Sequence, residues 1–274
     1  MSPSRRRLDT ELVRRGLAAS REEARALVEG GVVLVGGAPA DKPSRLVAGG
    51  DALVVVGPGR RFVSRGGDKL AAALEQFALD VSDVRALDAG ASTGGFTDCL
   101  LQAGAATVTA VDVGYGQLHP KLRGDRRVRV FERTNIRSAT PSEVGGPFGL
   151  VVADLSFISL VTVVPRLAGD LAEPGAPLVL LVKPQFEAGR AEVSKGRGVV
   201  RDPEVRRRTL HEVVAALLDT GATIMGAMAS PVLGPAGNIE FFLHAVAHGG
   251  SGGLHGAGID AALHAAVAES PGAL

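Results

Sequence analysis

Tryptophan is absent from this chain, tyrosine and cysteine occur once each, and aromatic residues make up 4% of its 274 positions. The single cysteine, Cys99, excludes an internal disulfide and any zinc site built from a cysteine cluster, so no metal is expected. So few rings argue against a surface that grips nucleic acid by stacking on many bases; shape and backbone contacts suit this composition better. No apolar run approaches the roughly 18–20 residues that a membrane helix needs. The arginines of the N-terminal MSPSRRRLDTELVRRG are not followed by the apolar core of a secretory signal. A cytoplasmic protein that neither enters nor lyses membranes is the simple expectation. With 46% hydrophobic and 22% charged residues, the chain can close one full core and one small extra module.

Charge is unevenly spread. Residues 1–70 carry 13 Lys and Arg against 8 Asp and Glu, a balance of +5; the remainder carries 17 against 21, a balance of −4. A basic small end suits an anionic partner, although an ordinary solvated face has the same signature. Residues 1–58 read as a module of their own. LDTELVRRGLA predicts a short helix stopped by Gly16. SREEARALVEGG predicts a second, with Ser20 as N-cap, Glu23 as its capping-box partner, and Ala24, Leu27 and Val28 buried. Short strands between Gly and Pro turns follow. GPGRRFVSRGG, with two glycine clusters around Phe62, predicts a linker over 59–67 that contains Arg65.

From Val84 onwards strands alternate with helices. VRALDAG, TVTAVDV, VRVFER, GLVVADLSF, PLVLLVK, ATIMGAMAS and IEFFLHAV predict a mostly parallel α/β sheet over 68–248, with ligands at the carboxyl ends of its strands. The last two strands, close together, suit an antiparallel edge. A glycine-rich spacer and a helix bearing Ile259, Leu263 and Val267 fill 249–274. Within PLVLLVK, the apolar run Leu178–Val182 reads as a strand covered on both faces, and Lys183 stands where it stops.

ALDAGASTGGFTDCLLQAG places a glycine-rich turn between a strand and a helix. That is where a nucleotide-like cofactor meets strand ends and a helix N-terminus. The spacing Gly90-x-x-x-Gly94-Gly95 differs from the three-glycine pattern of dinucleotide sites, and Asp88 precedes it. An acid there suits a cofactor with positive charge and no phosphate, such as S-adenosyl-L-methionine. The turn predicts contacts from Asp88, Gly90, Ser92, Gly94, Gly95 and Phe96, and Asp112, 24 residues after Asp88, is placed to accept ribose hydroxyls. A turn that serves only tight strand–helix packing has the same appearance.

Lys69, Asp154, Lys183 and Glu240 each have a bland explanation alone, as a cap or a solvated charge. In this order they resemble the Lys-Asp-Lys-Glu tetrad of FtsJ-type ribose 2′-O-methyltransferases. The words SRGGDKL, DAGASTGGFT, DVGYGQL, ADLSFISL, LVKPQFE and GNIEFF resemble the TlyA family, often labelled haemolysin A. That resemblance implies a Rossmann-like class I methyltransferase sheet behind a small α+β, alpha-L-type RNA-binding domain. It implies methylation of cytidine ribose in rRNA within ribosomal subunits, with S-adenosyl-L-methionine as cofactor and no DNA partner. Whether the chain dimerises is left open by the sequence, with a monomer favoured. Lys183 would be the base, Asp154 would orient it, Lys69 would steady the hydroxyl, and Glu240 would hold the network. Arg5, Arg6, Arg7, Arg14, Arg15, Arg21 and Arg25, with Arg65, would contact RNA phosphates. Arg190, Lys195, Arg197 and Arg201 could sit on a flap over the substrate or on an ordinary surface loop. The two termini resemble longer family members that modify 16S as well as 23S rRNA. Where some relatives have a linker tryptophan, this chain has Arg61-Phe62. A membrane-lytic protein, a non-catalytic assembly factor and an NAD-dependent oxidoreductase are the competing classes.

Overall fold

The computed structural model describes residues 5–18, 20–56, 61–234 and 236–270, and the chain divides between Arg61 and Phe62 into two units. In the first, β1 (Arg5–Arg7) runs straight into α1 (Leu8–Arg14), and a turn at Gly16, with φ of +70°, leads on to α2 (Arg21–Glu29). Ser20 caps α2 by accepting a hydrogen bond from Glu23 N at 3.2 Å. β2 (Val33–Val35) pairs with β3 (Ala38–Pro39), β4 (Leu46–Ala48) pairs back onto β1, and β5 (Leu53–Val55) pairs with β2, all antiparallel. Leu8 and Leu12, four apart on α1, meet Ala24 and Val28, four apart on α2; with Val33 and Val47 they close a small core.

The second unit opens with α3 (Arg65–Gln76), β6 (Arg85–Ala89), α4 (Gly95–Gln102), β7 (Thr107–Val111), α5 (Pro120–Arg123), β8 (Val128–Phe131), α6 (Pro141–Val144) and β9 (Leu150–Ala153). β10 (Pro177–Val182), α7 (Pro184–Glu187), α8 (Arg190–Lys195), α9 (Pro203–Asp219), β11 (Thr223–Ala229), β12 (Phe241–Val246) and α10 (Ala257–Ala268) complete it. Among the described residues, seven strands form one sheet in the order β11-β12-β10-β9-β6-β7-β8. Leu178, Leu180 and Val182 pack into the core on one face and Val179 and Leu181 into the core on the other, so β10 is covered twice, as its apolar run predicts. Ile259, Leu263 and Val267 of α10 join the first of these cores.

Two differences from the sequence reading have clear causes. Residues 59 and 60, the start of the expected linker, lie outside the described residues, but Arg65–Gly67 form the first turn of α3. Phe62 is buried in the second unit's core against Gly67, where any Cβ would overlap its ring. The last two strands do form an antiparallel edge, yet the outermost strand, β11, follows the direction of β10. It is β12, inserted between them, that runs opposite. Its first residue, Phe241, therefore lies across from Val182, the last residue of β10.

Candidate active site

Because β12 runs against its neighbours, its amino end arrives where the other strands have their carboxyl ends. Glu240, just before β12, therefore stands near Lys183, just beyond β10. Glu240 is 1% exposed and its Oε2 accepts from Lys69 Nζ at 2.5 Å. Lys69, itself buried, comes from the first turns of α3, and Gln185 Nε2 donates to Glu240 Oε1 at 3.2 Å. The fit is tight on the far side: a Cβ at Gly234 would lie 2.5 Å from Glu240 Oε1. Lys183 forms the second pair. Its Nζ is 2.6 Å from Asp154 Oδ1 and donates to Ser156 Oγ at 2.9 Å. Two amines and two carboxylates are thus matched in number at this end of the sheet, with Lys69, Lys183 and Glu240 buried and Asp154 partly open to solvent.

Beside this group, a cavity of about 500 Å³ opens at the ends of β6, β7 and β9, the point where strand order reverses. Gly90, Ser92, Asp112, Gln117, Asn135 and Asp154 are among its lining residues. Gly90 has φ of +85°, and a Cβ there would come 2.5 Å from the Asp154 carbonyl oxygen. Asp112 accepts from Ser92 N at 2.8 Å through Oδ2 and from Gly114 N at 2.6 Å through Oδ1. Each oxygen keeps a lone pair for a further donor, such as a vicinal diol. Phe157, 92% exposed and at φ of +64°, stands 5.2 Å from the Phe186 ring; Lys183 Nζ is 5.8 Å from that same ring.

The FtsJ-like methyltransferase family matches residues 62–246, and the S4 domain matches residues 6–53. A Mycobacterium tuberculosis protein named 16S/23S rRNA (cytidine-2′-O)-methyltransferase TlyA is 51% identical over 97% of this chain and 99% of its own length. The chain belongs to the TlyA family. A family member from Brachyspira hyodysenteriae, named Hemolysin A, is 38% identical over 87% of this chain and 98% of its own. A solved structure from Streptococcus thermophilus, under a provisional hemolysin name, matches with a TM-score of 0.77 at 40% identity, covering 98% of this chain and 96% of that one. Among the described residues, no helix is long and apolar enough to cross a membrane.

Not every residue of the TlyA-family glycine turn reaches the cavity. A Cβ at Gly94 would strike the Leu118 and Leu122 side chains, and one at Gly95 would overlap Ser64 Oγ and approach Gly67 N. These two glycines serve the close approach of α3, α4 and α5. Phe96 is buried and stacks on Phe242, with centroids 6.1 Å apart. Asp88 lies fully buried beneath the turn, where Oδ2 accepts from Thr97 Oγ1 at 2.6 Å and Oδ1 meets no donor among the described residues. Burial, reinforced by the nearby Asp154 and Asp112 charges, pushes the Asp88 carboxyl from its ordinary 3.8 up to about 7.

That shift has a consequence for stability. Between about pH 4 and pH 7 the folded chain holds a proton on Asp88 that the unfolded chain has released, so this group's contribution is lost as pH rises through that window, by up to about 1.4 kcal/mol per pH unit. Above pH 7 it stays flat. Unfolding free energies of wild type and Asp88→Asn, measured from pH 4 to pH 8, are expected to converge at the acid end and separate at neutrality, with the asparagine form gaining. Parallel curves would place the titration elsewhere.

In the S4 domain the structure brings most of the predicted arginines together. Arg7, Arg21 and Arg25 approach Asp9, while Arg6, Arg14 and Arg15 approach Glu11. Arg5 is exposed on β1 and Arg65 on the first turn of α3. Arg15 differs from the rest: it also donates to the carbonyls of Asp51 at 2.6 Å, Ala48 at 3.2 Å and Gly49 at 3.0 Å, which ties α1 to the β4–β5 turn. Of the expected flap, Arg197 and Arg201 are exposed, and the side chains of Arg190 and Lys195 lie outside the description. The sequence reading missed Ser156, Gln185, Asp9 and Glu11. Ser156 and Gln185 stand inside the words ADLSFISL and LVKPQFE, next to Asp154 and Lys183, and the two acids stand close to the apolar pair Leu8 and Leu12.

Proposed function

We propose that the chain methylates the ribose 2′-hydroxyl of a cytidine in ribosomal RNA, in the small as well as the large subunit. The observation that carries this reading is the pairing of Lys183 with Asp154 and of Lys69 with Glu240 at one end of the sheet, beside a cavity that exposes the Asp112 carboxylate. S-adenosyl-L-methionine fits the donor set there, and when bound it supplies an electrophilic methyl on a sulfonium. Asp112 would accept its ribose hydroxyls, and the bare Gly90 backbone would let it lie close.

A ribose hydroxyl is a poor nucleophile and must lose its proton as it attacks. The neutral amine of Lys183, aimed by Asp154 and Ser156, would take that proton on its free lone pair and become an ammonium paired with Asp154. Lys69, fixed by Glu240, steadies the hydroxyl oxygen by donating to it. Phe157 and Phe186 offer the target base a ring surface next to Lys183. Arginines of the S4 domain, and Arg65, bind phosphates and set the RNA's register. Support for two targets comes from the M. tuberculosis relative, whose name gives 16S and 23S rRNA and whose length this chain covers almost completely.

Separated 30S and 50S subunits lacking the modification, incubated with radiolabelled S-adenosyl-L-methionine, test the reading. Label on both is expected. Label on 50S alone would keep the enzyme and remove the small-subunit target, and none on either, with cofactor bound, would favour an assembly factor. A Gly90→Ala variant tests the cofactor site separately. Its methyl group must meet the Asp154 carbonyl from a left-handed backbone, so calorimetry is expected to show S-adenosyl-L-methionine binding weakened about ten-fold or more. Unchanged affinity would move the cofactor away from this turn.

A further inference from the structure

Asp9 and Glu11 are the buried centre of the basic face. Asp9 is fully buried, with Arg7 at 2.8 Å, Arg21 at 3.4 Å and Arg25 at 3.7 Å. Glu11, also fully buried, has Arg14 at 2.6 Å, Arg15 at 2.8 Å and Arg6 at 3.9 Å. Each carboxylate thus collects arginines from separate elements: β1 and α2 around Asp9, β1 and the end of α1 around Glu11. Hydrogen bonds from Arg7 hold the Asp9 carboxyl well below the usual range, and those from Arg14 and Arg15 hold Glu11 at about 2, so both stay ionised at neutral pH.

A carboxylate that needed only a counter-ion would be satisfied by one bidentate guanidinium. Here each has three, so each group is left with surplus positive charge. The acids are 0% and 1% exposed, while Arg6, Arg7, Arg14, Arg21 and Arg25 keep 40–56% of their side chains open to solvent. Free arginine side chains lose much rotamer freedom when they bind a phosphate. A buried acid that already holds them removes part of that cost before any RNA arrives.

We propose that Asp9 and Glu11 are positioning residues for RNA recognition, acting through the arginines they hold at fixed spacing. This rests on the reading of the S4 domain as the RNA-binding surface. It makes a prediction opposite to simple electrostatics. Asp9→Asn and Glu11→Gln each raise the net charge by one, so a face acting by charge alone would bind RNA more tightly. Positioning requires weaker binding.

The full-length chain and its variants are titrated against an unmodified 23S rRNA transcript at several salt concentrations. Glu29→Gln, at the exposed end of α2, is the charge control. Asp9→Asn and Glu11→Gln are expected to raise Kd about ten-fold and to make the slope of log Kd against log salt shallower by about one, the signature of a lost phosphate contact. Glu29→Gln is expected to bind as wild type or slightly more tightly. Glu11→Asp, which keeps the charge, is expected to recover most of the slope. Lower affinity with an unchanged slope would mean only a smaller folded fraction, and would overturn the proposal, as would binding at wild-type strength or better. Arg14→Ala and Arg21→Ala test the underlying reading instead: if neither weakens binding, the RNA surface lies elsewhere, whatever the acids do.

Discussion

A Lys183→Ala variant is expected to transfer methyl groups about 10²- to 10⁴-fold more slowly than wild type, the usual worth of a general base. Its affinity for S-adenosyl-L-methionine should barely change, because Lys183 stands beside the cavity proposed for the cofactor without lining it. Folding should also survive. Asp154 is 23% exposed on its side chain, so water can solvate its carboxylate once the partner is gone. Lys183→Arg sharpens the test. Arginine keeps the charge and can still pair with Asp154, but it does not deprotonate in proteins and cannot act as a base. Single-turnover methylation at saturating cofactor should find both variants inactive to a similar degree. Substantial activity in the arginine form would reduce Lys183 to a positive charge and move the base elsewhere.

Glu240→Ala is expected to be the most damaging substitution for stability. Glu240 and Lys69 are almost wholly buried and 2.5 Å apart, so truncating the acid strands an ammonium in a site that water reaches poorly. Removing one member of such a pair costs about 3–5 kcal/mol. For a unit of this size that is a fall in Tm on the order of 10 °C, readable by calorimetry. The double variant Lys69→Met with Glu240→Leu separates the two roles of the pair. Apolar side chains of similar volume can replace a buried ion pair without loss, so Tm should recover while methyl transfer does not. If Glu240→Ala melts with wild type, the pair is more hydrated than its burial indicates.

Much of the fold is written in local pattern. The capping serine of α2, the doubly covered β10 and the buried stripe of α10 follow from spacing alone, because period and burial are local properties of a strand or helix. The glycine-rich turn after β6 was equally plain. Its division of labour was not: Gly90 lines the cavity at the strand ends, whereas Gly94 and Gly95 yield to Leu118, Leu122 and Ser64, residues far away in the sequence. Asp88 reads as a cofactor contact in the sequence and lies under the turn with Thr97 instead. A position next to a glycine turn says nothing about which way a side chain faces.

By itself the sequence determined the alternation of strands and helices, the basic small module and the four charged residues whose order marks the family. Tertiary structure decided which of those residues meet. Lys69 and Glu240 are 171 residues apart and touch only because β12 runs against its neighbours and starts where β10 ends. Ser156 and Gln185 entered the site by the same route, and Asp9 and Glu11 became buried centres only when β1, α1 and α2 closed on one another. Pairing across such distances is set by strand direction and packing, which no single segment encodes.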